Sequence, residues 1–287
     1  MIAPPAASGD TPLFELYAIR YATRDAMRAS HFIGGDSHDG PMPMDYFVWV
    51  ARNADKVIVI DIGFCDATAA KRRRTMLCDP IESLRHLGID PASVKDVILT
   101  HLHYDHCGNF GSLPSARFHV QEAEMHFAAG RHMKYKYFAG GYEPDDIAQA
   151  VRLNFAGRMK QYSGEAQIVP GIRVMPMPGH SPGEQIVLVN TSRGWVVVAS
   201  DATHYYENVL RRKPYTTCHR VDQMLESFDR LMELADEDIA RIVPGHDPLV
   251  MQLYPPASDA LKGKIVRLDV APAPMPERSA QPGYGKK

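Results

Sequence analysis

The segment Thr100-His101-Leu102-His103-Tyr104-Asp105-His106-Cys107-Gly108-Asn109 places three imidazoles and one carboxylate within six residues, directly behind the apolar run Val94-Lys95-Asp96-Val97-Ile98-Leu99. That run reads as a short buried strand, so the histidines fall where the chain leaves a sheet. In an extended or tightly looped stretch His101 and His103 point to the same side. Asp105 and His106 follow after the chain turns and address a neighbouring point. Burying so many polar rings together is expensive unless something binds them. One loop serving two adjacent metal positions accounts for the spacing, provided other loops close each shell.

Three other segments supply the missing ligands. Met177-Pro178-Gly179-His180, Val196-Val197-Val198-Ala199-Ser200-Asp201 and Ile242-Val243-Pro244-Gly245-His246 each end on a histidine or aspartate immediately behind an apolar strand. Strand ends that converge on one edge of a sheet are where open α/β proteins build sites. The ligand count closes with His101, His103 and His180 on one metal, Asp105, His106 and His246 on a second, and Asp201 bridging. Imidazole and carboxylate ligands without thiolate suit Zn²⁺, with Mn²⁺, Fe²⁺ or Co²⁺ as alternatives. A shell with open positions marks a catalytic rather than a structural centre. Cys107 reads as a packing residue, and His119, His126, His132 and His219 as ordinary loop or core histidines.

Outward from the motif the chain reads as one layered α/β domain over residues 1–270. Strands are expected in Phe14–Ala22, on either side of a turn at Asn53-Ala54-Asp55, in 94–100 and in 116–121. Further strands are expected in 166–177, in a hairpin turning at Ser192-Arg193-Gly194, and in 239–244. Helices are expected over 79–87, closed by Gly88, and over 220–235. Residues from about 126 to 165, rich in Tyr, Phe, Lys and Arg, read as an insertion over the sheet with a helix after Pro144. The stretch 271–287 has the Pro/Gly/charge mix of a disordered tail.

A net charge of −2 gives no electrostatic footprint for nucleic acid. The run Lys71-Arg72-Arg73-Arg74 reads as a solvated helix face. No apolar stretch reaches the ~20 residues that span a bilayer, and Met1–Asp10 lacks the pattern of a signal peptide. Four scattered cysteines fit reduced thiols. These features together predict a cytoplasmic protein without a membrane or nucleic-acid partner. A homodimer is expected on the general frequency of symmetric pairs.

The order HxHxDH, His180, Asp201, His246 resembles the metallo-β-lactamase superfamily over roughly residues 12–260, and Asp61 in Val57-Ile58-Val59-Ile60-Asp61 matches its buried acidic residue. The resemblance implies an α/β fold built as a four-layer αββα sandwich with a two-metal site, Asp61 orienting a ligating histidine. Flavodiiron members carry an acidic residue where this chain has His103, and glyoxalase II members append a helical region after the last ligand. Length, the aromatic insertion and the sequences around Asp201 and His246 resemble the N-acyl homoserine lactonase group. Members of that group place a tyrosine three residues past the bridging aspartate as donor to the substrate carbonyl. Here that position is His204, followed by Tyr205 and Tyr206.

The implied reaction is opening of a lactone ring by a hydroxide shared between two divalent metals, with Asp105 relaying a proton and His204 or Tyr205 at the carbonyl. The substrate is an acyl homoserine lactone or a small catabolic lactone. The same site acting on a thioester, a cyclic amide or imide, or a β-lactam is the alternative, and a non-catalytic metal-binding protein a third reading. Phe64, Tyr135, Tyr137, Phe138 and Tyr142 are expected to wall the substrate pocket, with Arg131, Lys134 or Lys136 meeting a substrate carboxylate. An apolar groove would indicate acyl chains; a compact pocket with a fixed cation would indicate a small acidic lactone.

Overall fold

The computed structural model describes residues 11–276. In chain order the strands are β1 (Glu15–Arg24), β2 (Met44–Arg52), β3 (Val57–Ile60), β4 (Thr75–Met76), β5 (Asp96–Ile98), β6 (Arg117–Gln121), β7 (Met159–Tyr162), β8 (Ala166–Val169), β9 (Ile172–Pro176), β10 (Gln185–Thr191), β11 (Gly194–Ser200), β12 (Ile242–Pro244) and β13 (Ile265–Arg267). One sheet runs β13-β1-β2-β3-β5-β6-β7, with β4 also paired to β1, and the other runs β12-β11-β10-β9-β8. β3, β5, β6 and β7 are mutually parallel, as are β11 and β12. The helices are α1 (Asp66–Arg72), α2 (Tyr104–Cys107), α3 (Glu122–Ala128), α4 (Lys136–Ala139), α5 (Pro144–Phe155), α6 (Tyr206–Arg211), α7 (Val221–Leu234) and α8 (Leu249–Leu253).

The strand period decides the layering. Along β2, Phe47, Trp49 and Ala51 meet Ile172, Val174, Val187, Val189, Val196 and Val198 of the second sheet. The intervening Tyr46, Val48 and Val50 face the other way, into a cluster with Leu84, Leu87, Met125 and Leu153 beneath the helices. Ile186, Leu188, Val197 and Ala199 likewise turn from the inter-sheet core to α7, whose Met224, Phe228, Leu231 and Leu234 form one buried stripe. Each buried Phe or Leu of these layers contributes roughly 1.5–3 kcal/mol. Both sheets are therefore apolar on two faces, and the chain adopts the αββα sandwich.

Several local expectations need correction. Glu82–Leu87 is a 3-10 helix, closed by Gly88 at φ 72°. The stretch 126–165 does not all lie over the sheet, because Met159–Tyr162 pairs with β6 as the edge strand. The residues behind His246 form α8 and β13, the latter pairing with β1. Residues 271–276 carry no regular structure, and the remainder of the expected tail lies outside the described residues. No helix among the described residues is long and apolar enough to cross a membrane.

Candidate metal centre

Five strand ends meet at one edge of the sandwich. Asp61 follows β3, His101–His106 follow β5, His180 follows β9, Asp201 follows β11 and His246 follows β12. Asp61 and Ser200 adopt left-handed backbone at φ 60° and 46°, a conformation uncommon outside glycine. Each turns the chain sharply as it leaves its strand. The turn at Ser200 is held by its hydroxyl, 2.9 Å from Thr100 Oγ1.

The tautomers follow from what the back of each ring touches. His180 Nδ1 donates to Thr217 O at 2.9 Å, His246 Nδ1 to Asp45 O at 2.8 Å, and His106 Nδ1 lies 2.7 Å from Asp61 Oδ2. A carbonyl or ionised carboxylate oxygen can only accept, so Nδ1 carries a proton and Nε2 is the nitrogen that faces the interior. His180 Nε2 lies 3.1 Å from His101 Nε2 and 2.8 Å from His103 Nδ1. Two nitrogens on one tetrahedral zinc would stand roughly 3.3 Å apart, given Zn–N distances of about 2.0–2.1 Å. Asp201 Oδ1 lies 3.1 Å from His246 Nε2 and 3.4 Å from His106 Nε2, and its Oδ2 3.4 Å from His180 Nε2. Asp105 stands 3.8 Å from both His106 Nε2 and His246 Nε2.

His101, His103 and His180 thus form one group with metal-ligand spacing, and Asp105, His106 and His246 another. Asp201 approaches members of both. His204 Nε2, 3.1 Å from Asp201 Oδ2, stands as close as the ligands do. Burial drives the imidazoles of His101, His103 and His204 well below their ordinary pKa, keeping them neutral, the form that ligates. Burial acts the same way on His106, but Asp201, Asp61 and Asp105 outweigh it and raise that ring well above its ordinary value. Burial would raise Asp201, yet His246, His106 and His204 hold its carboxyl well below the carboxylate range. His106 Nε2 and Asp201 Oδ1 are buried without a hydrogen-bond partner. Such orphaned atoms are costly in a low-dielectric interior. The donor set fits two divalent cations.

The supporting contacts include residues the sequence did not single out. Asp61 accepts from Thr100 N at 2.7 Å and Thr100 Oγ1 at 2.8 Å besides holding His106. Buried Glu184 lies 3.1 Å from His101 Nδ1. Glu124 accepts from Leu102 N, Tyr142 Oη, Ser181 Oγ and Gly183 N, tying the loops of His101 and His180 together. The glycine of the second Pro-Gly-His has a packing reason, since a Cβ on Gly245 would strike Asp201 Oδ1 and stand 2.8 Å from Ser200 O. A Cβ on Gly141 would strike the His103 ring, which is backed by Tyr142 at a centroid distance of 4.5 Å. Gly141→Ala is expected to lower hydrolysis about tenfold or more and weaken one of two bound metals, read by titrating metal into the apoprotein. Glu184→Gln, replacing the carboxyl 3.1 Å from His101 Nδ1 with an amide, is expected to weaken metal affinity about 10–100-fold in the same titration.

A cavity of about 280 Å³ opens over these ligands. Tyr137, Phe138 and Tyr142 of the expected wall line it, together with His204 and His219. Phe64 does not: it is fully buried against Tyr21, Tyr46 and Tyr104, behind the wall. Tyr135 is 51% exposed and outside the lining. Arg131, Lys134 and Lys136 also lie outside it, on the exposed side of the insertion. The cations that do line it are Arg24, Arg72 and Arg74. The basic run is thus no simple solvated face, for Arg72 sits 3.7 Å over the Tyr104 ring and pairs with Glu143 at 2.7 Å. Tyr205 is turned away, its hydroxyl 3.1 Å from His31 Nε2 and donating to Pro43 O at 3.2 Å. Cys107 is buried and donates to Leu102 O, a packing role.

Comparison with known proteins adds three findings. The family model of the metallo-β-lactamase superfamily matches residues 42–246. Among curated proteins, the N-acyl homoserine lactonase AttM of Azorhizobium caulinodans is 32% identical over 193 residues, covering 65% of this chain and 70% of that protein. An N-acyl homoserine lactonase of Bacillus cereus is 28% identical over 165 residues, 57% of this chain; the chain spans 60% of that relative's length. Among solved structures, a quorum-quenching N-acyl homoserine lactone lactonase superposes with a TM-score of 0.70 at 22% identity, covering 83% of this chain and 95% of the other.

Proposed function

The chain belongs to the metallo-β-lactamase superfamily, and from that premise we propose that it is a two-metal hydrolase that opens a lactone ring. The observation that carries the reading is the convergence of His101, His103 and His180 with Asp105, His106 and His246 around Asp201, at the floor of a cavity. Two divalent cations held there, zinc by the chemistry of the donors, would supply a water of lowered pKa and polarise an ester carbonyl.

The protein's own groups do the rest. Asp105 faces the cavity with its oxygens 3.8 Å from the nearest imidazole nitrogens. It is the base that takes the proton of the attacking water and delivers it to the leaving alkoxide. His204, stacked on Tyr215 at 3.6 Å, faces the carbonyl position, in place of the tyrosine of the lactonase group. The hydrogen bonds of Tyr205 to His31 and Pro43 favour His204 over Tyr205 for that role. His204→Phe is therefore expected to slow turnover about tenfold or more with both metals retained, whereas Tyr205→Phe should change kcat less than about threefold. The reverse order of effects would reassign the donor.

The names of the relatives suggest acyl homoserine lactones as one substrate class; small catabolic lactones are the other. The direct test is proton release from a panel of both on the metal-loaded protein, with and without chelator. Hydrolysis that stops on chelation and returns with zinc supports the reading; no hydrolysis of any lactone by the loaded protein overturns it. We further read the chain as a cytoplasmic homodimer, the pairing resting on the frequency of symmetric dimers and on exposed Tyr135 and Phe155. Sedimentation velocity at micromolar concentration tests the pairing, and a single monomer peak would refute it.

A further inference from the structure

Two of the guanidinium groups on the cavity wall have no counter-charge. Ala22 pairs with Met76 and Thr23 with Thr75 in the antiparallel ladder of β1 and β4. Continued one step beyond the pairs formed, that register would set Arg24 opposite Arg74, and directly opposed side chains share a face of a sheet. Both line the cavity. Among the described residues no carboxylate comes within ion-pair distance of either. Arg74 spends Nε on Tyr104 Oη at 3.0 Å and Nη1 on Arg72 O at 2.7 Å, and Arg24 Nε is buried without a hydrogen-bond partner. The remaining cation of the wall, Arg72, is matched by Glu143. The cavity's own carboxylates, Asp105 and Asp201, belong to the metal groups.

Like charges opposed across a ladder repel one another, and the arrangement becomes favourable when an oxyanion sits between them. The pair also stands at a defined place relative to the chemistry. Tyr46 lies against His246 at a centroid distance of 5.1 Å, and the Arg74 guanidinium is 5.9 Å from the same Tyr46 ring. One aromatic ring thus separates the Arg74 guanidinium from His246. At about 280 Å³ the cavity falls just below the range for small-molecule sites, ~300–1,000 Å³. Its size and its fixed cations both favour a compact anion over a long acyl chain.

We propose that the substrate is a small lactone carrying a carboxylate, held by Arg24 and Arg74 while the ring ester lies over the metal centre. The proposal rests on the lactone-opening reading and narrows its substrate class. Arg24 and Arg74 are specificity-determining residues, binding a group remote from the ester and leaving the bond-breaking step to Asp105 and the metal centre.

The test compares 5-oxotetrahydrofuran-2-carboxylate with its neutral isostere, the 2-carboxamide, on the zinc-loaded full chain. The carboxylate is expected to be preferred by about tenfold or more in kcat/KM, expressed mainly in KM, as charge-assisted hydrogen bonds of this kind imply. The double variant Arg24→Gln/Arg74→Gln should bring that ratio close to one, and Arg24→Lys, which keeps the charge, should retain most of it. Because the readout is a ratio of two substrates on one preparation, a loss of folded protein cancels. Equal efficiency on the two substrates, or a preference untouched by the double variant, overturns the proposal while the lactone reading stands. Failure to open either ring, or any neutral lactone, overturns both.

Discussion

Asp201→Ala is expected to abolish hydrolysis, lowering kcat by at least about 1,000-fold, and to reduce bound metal from two equivalents per chain to one or fewer. Its oxygens lie within 3.4 Å of His106, His180 and His246, which come from both ligand groups. Removing the carboxylate would leave the surrounding imidazoles without the negative charge that lies between the two groups and offsets a cation. The scale follows from catalysis by metal-activated water, where most of the acceleration depends on the ion being present. Asp201 sits at a strand tip, and its carbonyl is held by Tyr215 Oη, so the fold around it should persist. Circular dichroism alongside elemental analysis separates loss of metal from loss of fold. Retention of two metals with near-normal turnover would remove Asp201 from the centre.

Asp105→Asn separates chemistry from binding. The amide keeps the size of the carboxylate and one oxygen for coordination, but it cannot take up a proton at the pH of the reaction. The expected result is a fall in kcat of about 100- to 10,000-fold, the usual contribution of a positioned acid or base. KM should change little, and at least one metal should remain tightly bound. Pre-steady-state measurement of proton release on the variant would locate the loss in the ring-opening step. Full activity with stoichiometric metal would refute the relay.

The metal ligands were legible because each sits directly behind an apolar strand, where residue type and chain position coincide. Asp61 was legible through the family resemblance, and its contacts with Thr100 and His106 supply the physical reason. Glu184 and Glu124 were not, since an isolated glutamate usually lies on the surface and burial depends on which loops meet. Phe64 follows Asp61 and Gly63 so closely that a place in the pocket was natural, but its ring turns into the cluster of Tyr21, Tyr46 and Tyr104. β7 escaped notice because Met159-Lys160-Gln161-Tyr162 lacks an apolar period, and its place comes from pairing with β6. Arg24 and Arg74 lie 50 positions apart and line one cavity, their segments joined by a paired strand of two residues. Register of that kind is a tertiary property that no local pattern announces. The arginines that line the cavity come from β1 and from the end of α1 and the turn behind it, not from the insertion.

The central claim is a pair of divalent cations held by seven side chains from four loops, and titration of zinc into chelator-treated protein tests it most directly. The account predicts binding that saturates at two equivalents per chain, with lactone hydrolysis returning as the sites fill. It also predicts that His101→Ala and His246→Ala each saturate at one equivalent or fewer. Saturation at one equivalent in the unmodified chain, or full hydrolysis before any zinc is added back, would contradict it.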